Sequence, residues 1–420
     1  MHRFEHRDRE LFCEEVGASK LAAEFGTPLY VYSAGTLRDH FRRIRDAFRA
    51  ADPLLCYSVK ANSCLAVLEV LRREGSGFDI VSGGELFRVS RIGADPATVV
   101  FAGVGKTGDE IRAALRFGIR FFNVESEEEL RRVDAVAKEE RKIATVALRL
   151  NPDVSPDTHH YIATGKMETK FGLDLALARA AAAAARGLRN VRLQGVHVHI
   201  GSQIRETAPY EAALERALAL ARELAAGGHE ITTLNLGGGF GITYTDDKEA
   251  LPAEAFAAKL ALPVRAAGFS LILEPGRFVV GNSGILLTRV IGTKASGGKR
   301  YAVTDAGMND LIRPSLYGAF HRIWPATGPA PERLAGKDLA DTDVVGPICE
   351  SGDFLGKGRL LPALRAGSLL AVFSAGAYGF SMASNYNSRP RPAEVMVDGA
   401  KARLVRARET HEDLVRGETA

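Results

Sequence analysis

Cysteine is scarce in this chain. Only Cys13, Cys56, Cys64 and Cys349 occur in 420 residues, and no two make a Cys-x-x-Cys pair. A disulfide framework and a zinc knuckle are excluded as organising devices, and a reducing cytoplasm is the expected setting. Charge of one sign is also lacking: 55 Lys and Arg against 51 Asp and Glu leave a net +4. The basic residues are scattered among acids, without a basic block or a basic-aromatic stripe, which argues against nucleic acid as a partner. Long apolar runs are missing too. The longest weakly polar stretch, Leu173 to Leu188, is broken by arginines and reads as an Ala-rich helix. The opening residues, Met1 to Asp8, carry no apolar segment of the signal-peptide kind. No membrane partner is expected. What is present is ordinary for a globular protein, 46% hydrophobic and 25% charged residues, in a chain long enough for two or three domains.

From residue 54 short β-branched runs alternate with amphipathic stretches. Strands are predicted over 54–61, 77–82, 99–104, 119–124, 143–151, 193–201, 232–238 and 270–274, and helices near 63–73, 84–92, 107–117, 127–139, 174–188, 208–227 and 252–267. This alternation, repeated to eight strands, predicts an α/β fold, a (β/α)8 TIM-type barrel, with an open doubly wound sheet as the alternative because periodicity cannot show closure. Glycine-rich turns after the seventh strand (Gly237-Gly238-Gly239) and the eighth (Pro275-Gly276-Arg277) favour the barrel, since such barrels commonly hold a phosphate there. After residue 277 the segments 278–280, 285–292, 301–305, 343–348 and 369–373 are short and turn-bounded, and predict a second, mainly antiparallel β domain. The expected division is residues 1–30 as a segment packing with that domain, 31–277 as the barrel and 278–420 as the β domain. The stretch 325–341 reads as an exposed loop.

Lys60 ends the first apolar run, in Tyr57-Ser58-Val59-Lys60-Ala61-Asn62-Ser63. A lysine at the end of a buried strand is costly to keep charged, and a free amine in a pocket forms Schiff bases with a substrate or with pyridoxal phosphate. The plain alternative is a solvated strand-end lysine. The glycine run is either a turn where backbones approach closely or an anion nest of backbone N–H groups. His197 and His199 share a strand face and could be a metal pair, a flat surface for a planar cofactor, or structural histidines. Further ligands to complete a metal shell are not evident. Glu274 is either an ion-pair partner of Arg277 or a carboxylate for a ring nitrogen. In the β domain, the turn Cys349-Glu350-Ser351-Gly352-Asp353 and the polar string from Gly376 to Pro390 suggest proton donation or binding.

Taken together these motifs resemble the diaminopimelate decarboxylases, within the fold-type III (alanine-racemase-like) pyridoxal-phosphate, or group IV, decarboxylases. The resemblance runs along nearly the whole chain. It includes Gly77-Phe78-Asp79-Ile80-Val81-Ser82-Gly83-Gly84-Glu85-Leu86, Phe101 to Thr107, His197 to Ile204, Glu274-Pro275-Gly276-Arg277, Ile348 to Asp353 and Gly376 to Glu394. The barrel motifs alone would also suit ornithine or arginine decarboxylases; the Cys-Glu-Ser-Gly-Asp turn and the last string are the specific part. Cys64 and Arg205 depart from the expected pattern, at positions the family's chemistry does not require.

The resemblance implies pyridoxal 5'-phosphate as cofactor, with Lys60 as its anchor and acid/base, Glu274 at the pyridine nitrogen and His199 on the ring face. It implies Gly238, Gly239, Gly276 and Arg277 around the phosphate, helped by Ser202 and Tyr378, with Asp79 and Arg149 steadying the surroundings. A substrate with an amino-acid group at both ends needs a clamp at the far end: Arg277 and Arg313 for the carboxylate, with Tyr317 and Tyr378, and Glu350 for the ammonium. Cys349 is the implied proton donor. A homodimer with sites shared across the interface is expected. The implied activity converts meso-2,6-diaminopimelate to L-lysine and CO2. The alternatives are a decarboxylase of another basic amino acid, a racemase on the same fold, and a non-catalytic cofactor-binding regulator.

Overall fold

The computed structural model describes residues 2–154, 170–244, 249–330, 333–334 and 336–419. The chain divides into two compact units. One comprises His40–Ile242 and Ala250–Val279, the other Met1–Asp39, Thr243–Glu249 and Val280–Ala420.

The first unit is a closed eight-stranded barrel. Its strands are Leu54–Ser58, Gly77–Ile80, Val99–Phe101, Phe121–Val124, Ala144–Leu150, Val191–Val198, Thr233–Asn235 and Ser270–Leu273. The eighth strand pairs in parallel with the first, Ile272 opposite Leu54 and Leu273 opposite Leu55. That pairing joins segments more than two hundred residues apart and settles closure against the open sheet. Cys56, Val100, Phe121, Ala147 and Ile272, from five of the strands, form a buried cluster that fills the interior.

The intervening helices carry their own stop and start signals. Thr107 and Glu110 form a reciprocal capping box at the start of Gly108–Phe117, and Gly118, at φ 89°, ends that helix in the left-handed region. Ser126 caps Glu127–Glu139, whose first turn holds three glutamates against the positive end of the helix dipole. The Ala-rich helix is Leu175–Ala185. It lies with Ala178, Ala181, Ala182 and Ala185 buried, so small side chains let it pack closely.

The second unit is a sheet with the strand order Phe354–Leu361, Ala340–Val345, Lys299–Thr304, Gly284–Ser296, Leu29–Ser33, Ala393–Asp398, Lys401–Arg406; Leu369–Val372 pairs with Gly284–Ser296 and with Ile323–Pro325. Pairing is antiparallel except between Arg300–Val303 and Thr342–Val345 and between Leu29–Ser33 and Ala393–Val397. A small antiparallel sheet of Phe4–Arg7, Glu10–Cys13 and Val16–Gly17 belongs to the same unit. The boundary expected after residue 30 falls inside the strand Leu29–Ser33, which pairs on both sides within this sheet.

One local expectation is corrected. Residues 278–280, read as a strand, form part of the helix Arg277–Val280. Three apolar residues do not distinguish one helical turn from a strand, and here the turn is closed by Val279 N–H donating to Gly276 O at 3.0 Å. The stretch 325–341, read as a loop, includes the short helical turn Gly336–Asp338 and the first residues of the strand Ala340–Val345; residues 331, 332 and 335 lie outside the described residues. Among the described residues no helix is long and apolar enough to cross a membrane.

Candidate active site

Every candidate residue of the barrel unit lies at the carboxyl end of a strand or in the turn after it. Lys60 follows the first strand, Asp79 is on the second, Arg149 on the fifth, His199 just past the sixth, Gly238 and Gly239 after the seventh, and Glu274, Gly276 and Arg277 after the eighth. Parallel strands in a closed barrel bring these ends to one mouth.

Lys60 Nζ donates to Asp79 Oδ2 at 2.9 Å, and Ser58 Oγ donates to the same oxygen at 2.6 Å. The lysine side chain is 36% exposed while Asp79 is fully buried. The expectation of a desolvated lysine is therefore not met: the ammonium reaches past the strand end and has a carboxylate partner. Burial pushes the Asp79 carboxyl up, the nearby Glu274 adds to the rise, and Lys60 opposes it.

Glu274 is held differently. Its Oε1 accepts from Asn235 Nδ2 at 2.6 Å and Asn123 Nδ2 at 3.2 Å, and its Oε2 lies 3.3 Å from His197 Nε2. Burial works against ionisation, but His197 and Lys60 oppose it, and the carboxyl stays below its usual range. Two neighbouring carboxyls are thus pushed in opposite directions, Asp79 toward the acid and Glu274 toward the anion.

His199 Nδ1 accepts from the Gly238 N–H at 3.2 Å, which requires a lone pair on that nitrogen. The residue is half-buried, and desolvation at the barrel mouth, followed by the charges of Arg149 and Lys60, lowers its pKa well below the ordinary histidine value. It is a neutral imidazole. Arg149 is steadied by Glu125, whose Oε1 accepts from Arg149 Nη1 at 2.8 Å, both side chains being buried.

The glycine turns are required by close approach. A Cβ on Gly238 would stand 2.0 Å from Glu274 O, and one on Gly239, at φ 106°, 2.4 Å from Gly201 O. A Cβ on Gly276 would stand 3.1 Å from Ser58 Cβ. The Gly238 N–H is committed to His199. The Gly239 and Gly276 N–H groups donate to no acceptor among the described residues. Arg277 donates to Ser202 Oγ from Nε at 3.2 Å and from Nη2 at 3.1 Å, and the guanidinium is buried.

In the sheet unit Arg313 opens the helix Arg313–Tyr317 and is buried. Its Cζ lies 5.5 Å from the ring centre of Tyr244, 5.9 Å from Tyr317 and 6.0 Å from Tyr378, a cage of three aromatic faces around one cation. Cys349 and Glu350 are exposed, as the turn composition predicts. Asn387 Oδ1 accepts from the Cys349 N–H at 2.7 Å, tying the turn to the polar string.

Residues 34–281 match the family model for the pyridoxal-dependent decarboxylase, pyridoxal binding domain. A diaminopimelate decarboxylase of Pseudomonas aeruginosa is 50% identical over 421 aligned positions, spanning 100% of this chain and 99% of that protein. The chain belongs to the diaminopimelate decarboxylase family. The crystal structure of the Helicobacter pylori family member complexed with L-lysine superposes with a TM-score of 0.90 at 38% identity, covering 95% of this chain and 98% of that one. The M. jannaschii member, also in complex with L-lysine, gives 0.92 at 36% identity over 99% and 98% of the chains.

The residues fit the family's cofactor. A primary amine, a buried carboxylate, a neutral imidazole and two uncommitted backbone donors stand at one barrel mouth. His197 Nδ1 and Asp79 Oδ1 are buried without a hydrogen-bond partner among the described residues, which leaves polar capacity at the mouth for a bound group. Among the described residues no group of three His, Cys, Asp or Glu side chains converges as a metal site, and His197 and His199 take separate partners.

Sequence reasoning passed over Asn123 and Asn235. Each is a buried amide inside an apolar strand, Phe121-Phe122-Asn123-Val124 and Thr233-Leu234-Asn235. A lone polar residue in such a run is a signal, because a buried amide must find a partner. Glu125 and Tyr244 were also missed.

Proposed function

We infer that this protein is a pyridoxal-phosphate-dependent carboxy-lyase that converts meso-2,6-diaminopimelate to L-lysine and CO2, the last step of lysine biosynthesis. The observation that carries the reading is the strand-end constellation of Lys60, Asp79, His199 and Glu274 in a chain half identical, end to end, to a diaminopimelate decarboxylase. Bound pyridoxal phosphate supplies the electron sink that carbanion formation at Cα requires.

Lys60 would hold the cofactor covalently and afterwards move protons at its Nζ. The Gly239 and Gly276 N–H groups would take the phosphate, with the Ser202 hydroxyl, which Arg277 already orients. Gly238, whose N–H serves His199, contributes by closeness of backbone and by fixing that ring. The neutral imidazole of His199 offers a flat face without a competing charge. Glu274, kept ionised by His197, would favour a protonated ring nitrogen. Asp79 partners the Lys60 amine, and Arg149, fixed by Glu125, adds a positive charge beside the site.

The far end of the substrate is assigned to the sheet unit. Arg313, with Tyr317 and Tyr378, would take its carboxylate, and Glu350 its ammonium; Arg277 is the second cation. A substrate without a far carboxylate would forgo the contact with this buried guanidinium, which disfavours ornithine. Cys349 would donate the proton that replaces CO2. An exposed Cys349–Glu350 turn suits a residue that serves a partner subunit, and we propose a cytoplasmic homodimer with shared sites. The reading is tested by supplying purified protein with pyridoxal phosphate and meso-diaminopimelate: CO2 and L-lysine should appear in equal amounts, and CO2 without L-lysine rejects it.

A further inference from the structure

Arg313 does not reach its place unaided. Its Nε donates to His321 Nε2 at 3.3 Å, and His321 Nδ1 stands 2.9 Å from Phe373 O. A carbonyl only accepts, so the Nδ1 position carries the hydrogen. The Nε2 position then holds a lone pair, which is what the Arg313 N–H requires. Both bonds are satisfied by one tautomer of a neutral ring. His321 is 0% exposed. Protonation would turn Nε2 into a second donor facing a guanidinium in a buried setting.

Local chain geometry delivers this contact. The helix Arg313–Tyr317 ends at Gly318, which is left-handed at φ 59°, and Ala319 N–H returns to Arg313 O at 3.3 Å. The reversal brings residue 321 back onto the side chain of residue 313. Tyr244, one of the three rings around the guanidinium, also meets the His321 ring edge to face, at 5.5 Å and 81°. The plain reading of such a histidine is a satisfied core residue, anchored through Phe373. That reading does not account for the second nitrogen, which accepts from a buried cation.

We propose that His321 is a positioning residue for Arg313: as a neutral acceptor it fixes the plane of the guanidinium, and so sets recognition of the substrate's far carboxylate. This rests on the assignment of Arg313 to that carboxylate. A planar cation that binds a carboxylate through paired N–H groups is sensitive to rotation about its own axis, so fixing Nε fixes the directions of the remaining donors.

Two amide substitutions separate the roles of the ring nitrogens. His321→Asn places an amide where Nδ1 stands, keeping the bond to Phe373 O and losing the acceptor for Arg313. His321→Gln reaches the Nε2 position and restores an acceptor. The proposal predicts that His321→Asn raises KM for meso-diaminopimelate about tenfold or more with kcat within about threefold. L-Lysine, which keeps the far carboxylate, should lose inhibitory potency in parallel. His321→Gln should recover most of both, and thermal melts should show that each variant is folded. The reverse order, Asn near wild type and Gln impaired, would mean that His321 serves only as a core anchor, and would overturn the proposal. Arg313→Ala is the control for the underlying assignment. If it leaves KM and L-lysine inhibition unchanged, the role given to Arg313 fails; if it raises KM and weakens L-lysine inhibition while His321→Asn does neither, only the inference about His321 fails.

Discussion

His197 Nε2 stands 3.3 Å from Glu274 Oε2, both side chains almost wholly buried, while two asparagine amides occupy the other carboxylate oxygen. The pair explains how a carboxylate stays ionised in an apolar barrel. Glu274→Gln keeps the shape and removes the charge. It should leave cofactor binding intact, seen by the visible absorbance of the protein, and lower kcat/KM by ~10²–10³-fold. Near-wild-type kcat/KM would show that the charge is not used.

Lys60 and Asp79 form a further ion pair at the mouth. Lys60→Ala should abolish the visible absorbance band of protein supplied with pyridoxal phosphate, together with turnover. Persistence of the band would place the anchor on another lysine.

Glu350→Ala would leave a substrate ammonium desolvated without its anion. The expected loss is ~3–4 kcal/mol, read as about 10²–10³-fold in kcat/KM for meso-diaminopimelate. An unchanged kcat/KM would remove Glu350 from the clamp.

Cys349 and Lys60 test the shared site. Lys60→Ala and Cys349→Ala proteins should each be inactive alone, and mixing the subunits should restore part of the activity. No recovery in a mixed dimer, with mixing verified by tags, would contradict donation across the interface.

Asp310 gives a pH dependence of stability. Burial pushes its carboxyl up to about 7, only partly opposed by the Gly307 N–H that donates to it at 2.9 Å. The unfolded carboxyl titrates near ~3.9. The folded state therefore binds the proton more tightly, and the associated stability is full below pH ~4 and lost as pH rises toward 7. Between pH 5 and pH 8 this group should account for a loss of roughly 2–3 kcal/mol in denaturant unfolding. Asp310→Asn should flatten that slope; an unchanged slope would exclude Asp310 as its source.

Much of the barrel was legible because apolar runs, polar loops and amphipathic stretches are local signals. All eight barrel strands fall where those runs lie. Closure was not legible, because it depends on Ile272 and Leu273 meeting Leu54 and Leu55 across the whole barrel. The placing of the N-terminal strand Leu29–Ser33 was not legible either, because its two partners in the sheet lie far away in the sequence. In the site, Lys60, Glu274 and the glycine turns announce themselves by residue type at strand ends. Asn235 and His321 do not. Their importance comes from what they touch, Glu274 in one case and Arg313 in the other. The desolvated-lysine argument failed for a physical reason: the strand stops at Ser58, and two residues later the side chain has left the apolar run and found Asp79.

The most direct test of the account is a parallel assay of CO2 release and product identity with meso-diaminopimelate, ornithine, arginine and lysine, each with pyridoxal phosphate. The account predicts L-lysine from diaminopimelate and little turnover of the other three. Preferred turnover of ornithine or arginine would contradict the far-end assignment of Arg313 and Glu350 while leaving the Lys60 chemistry in place.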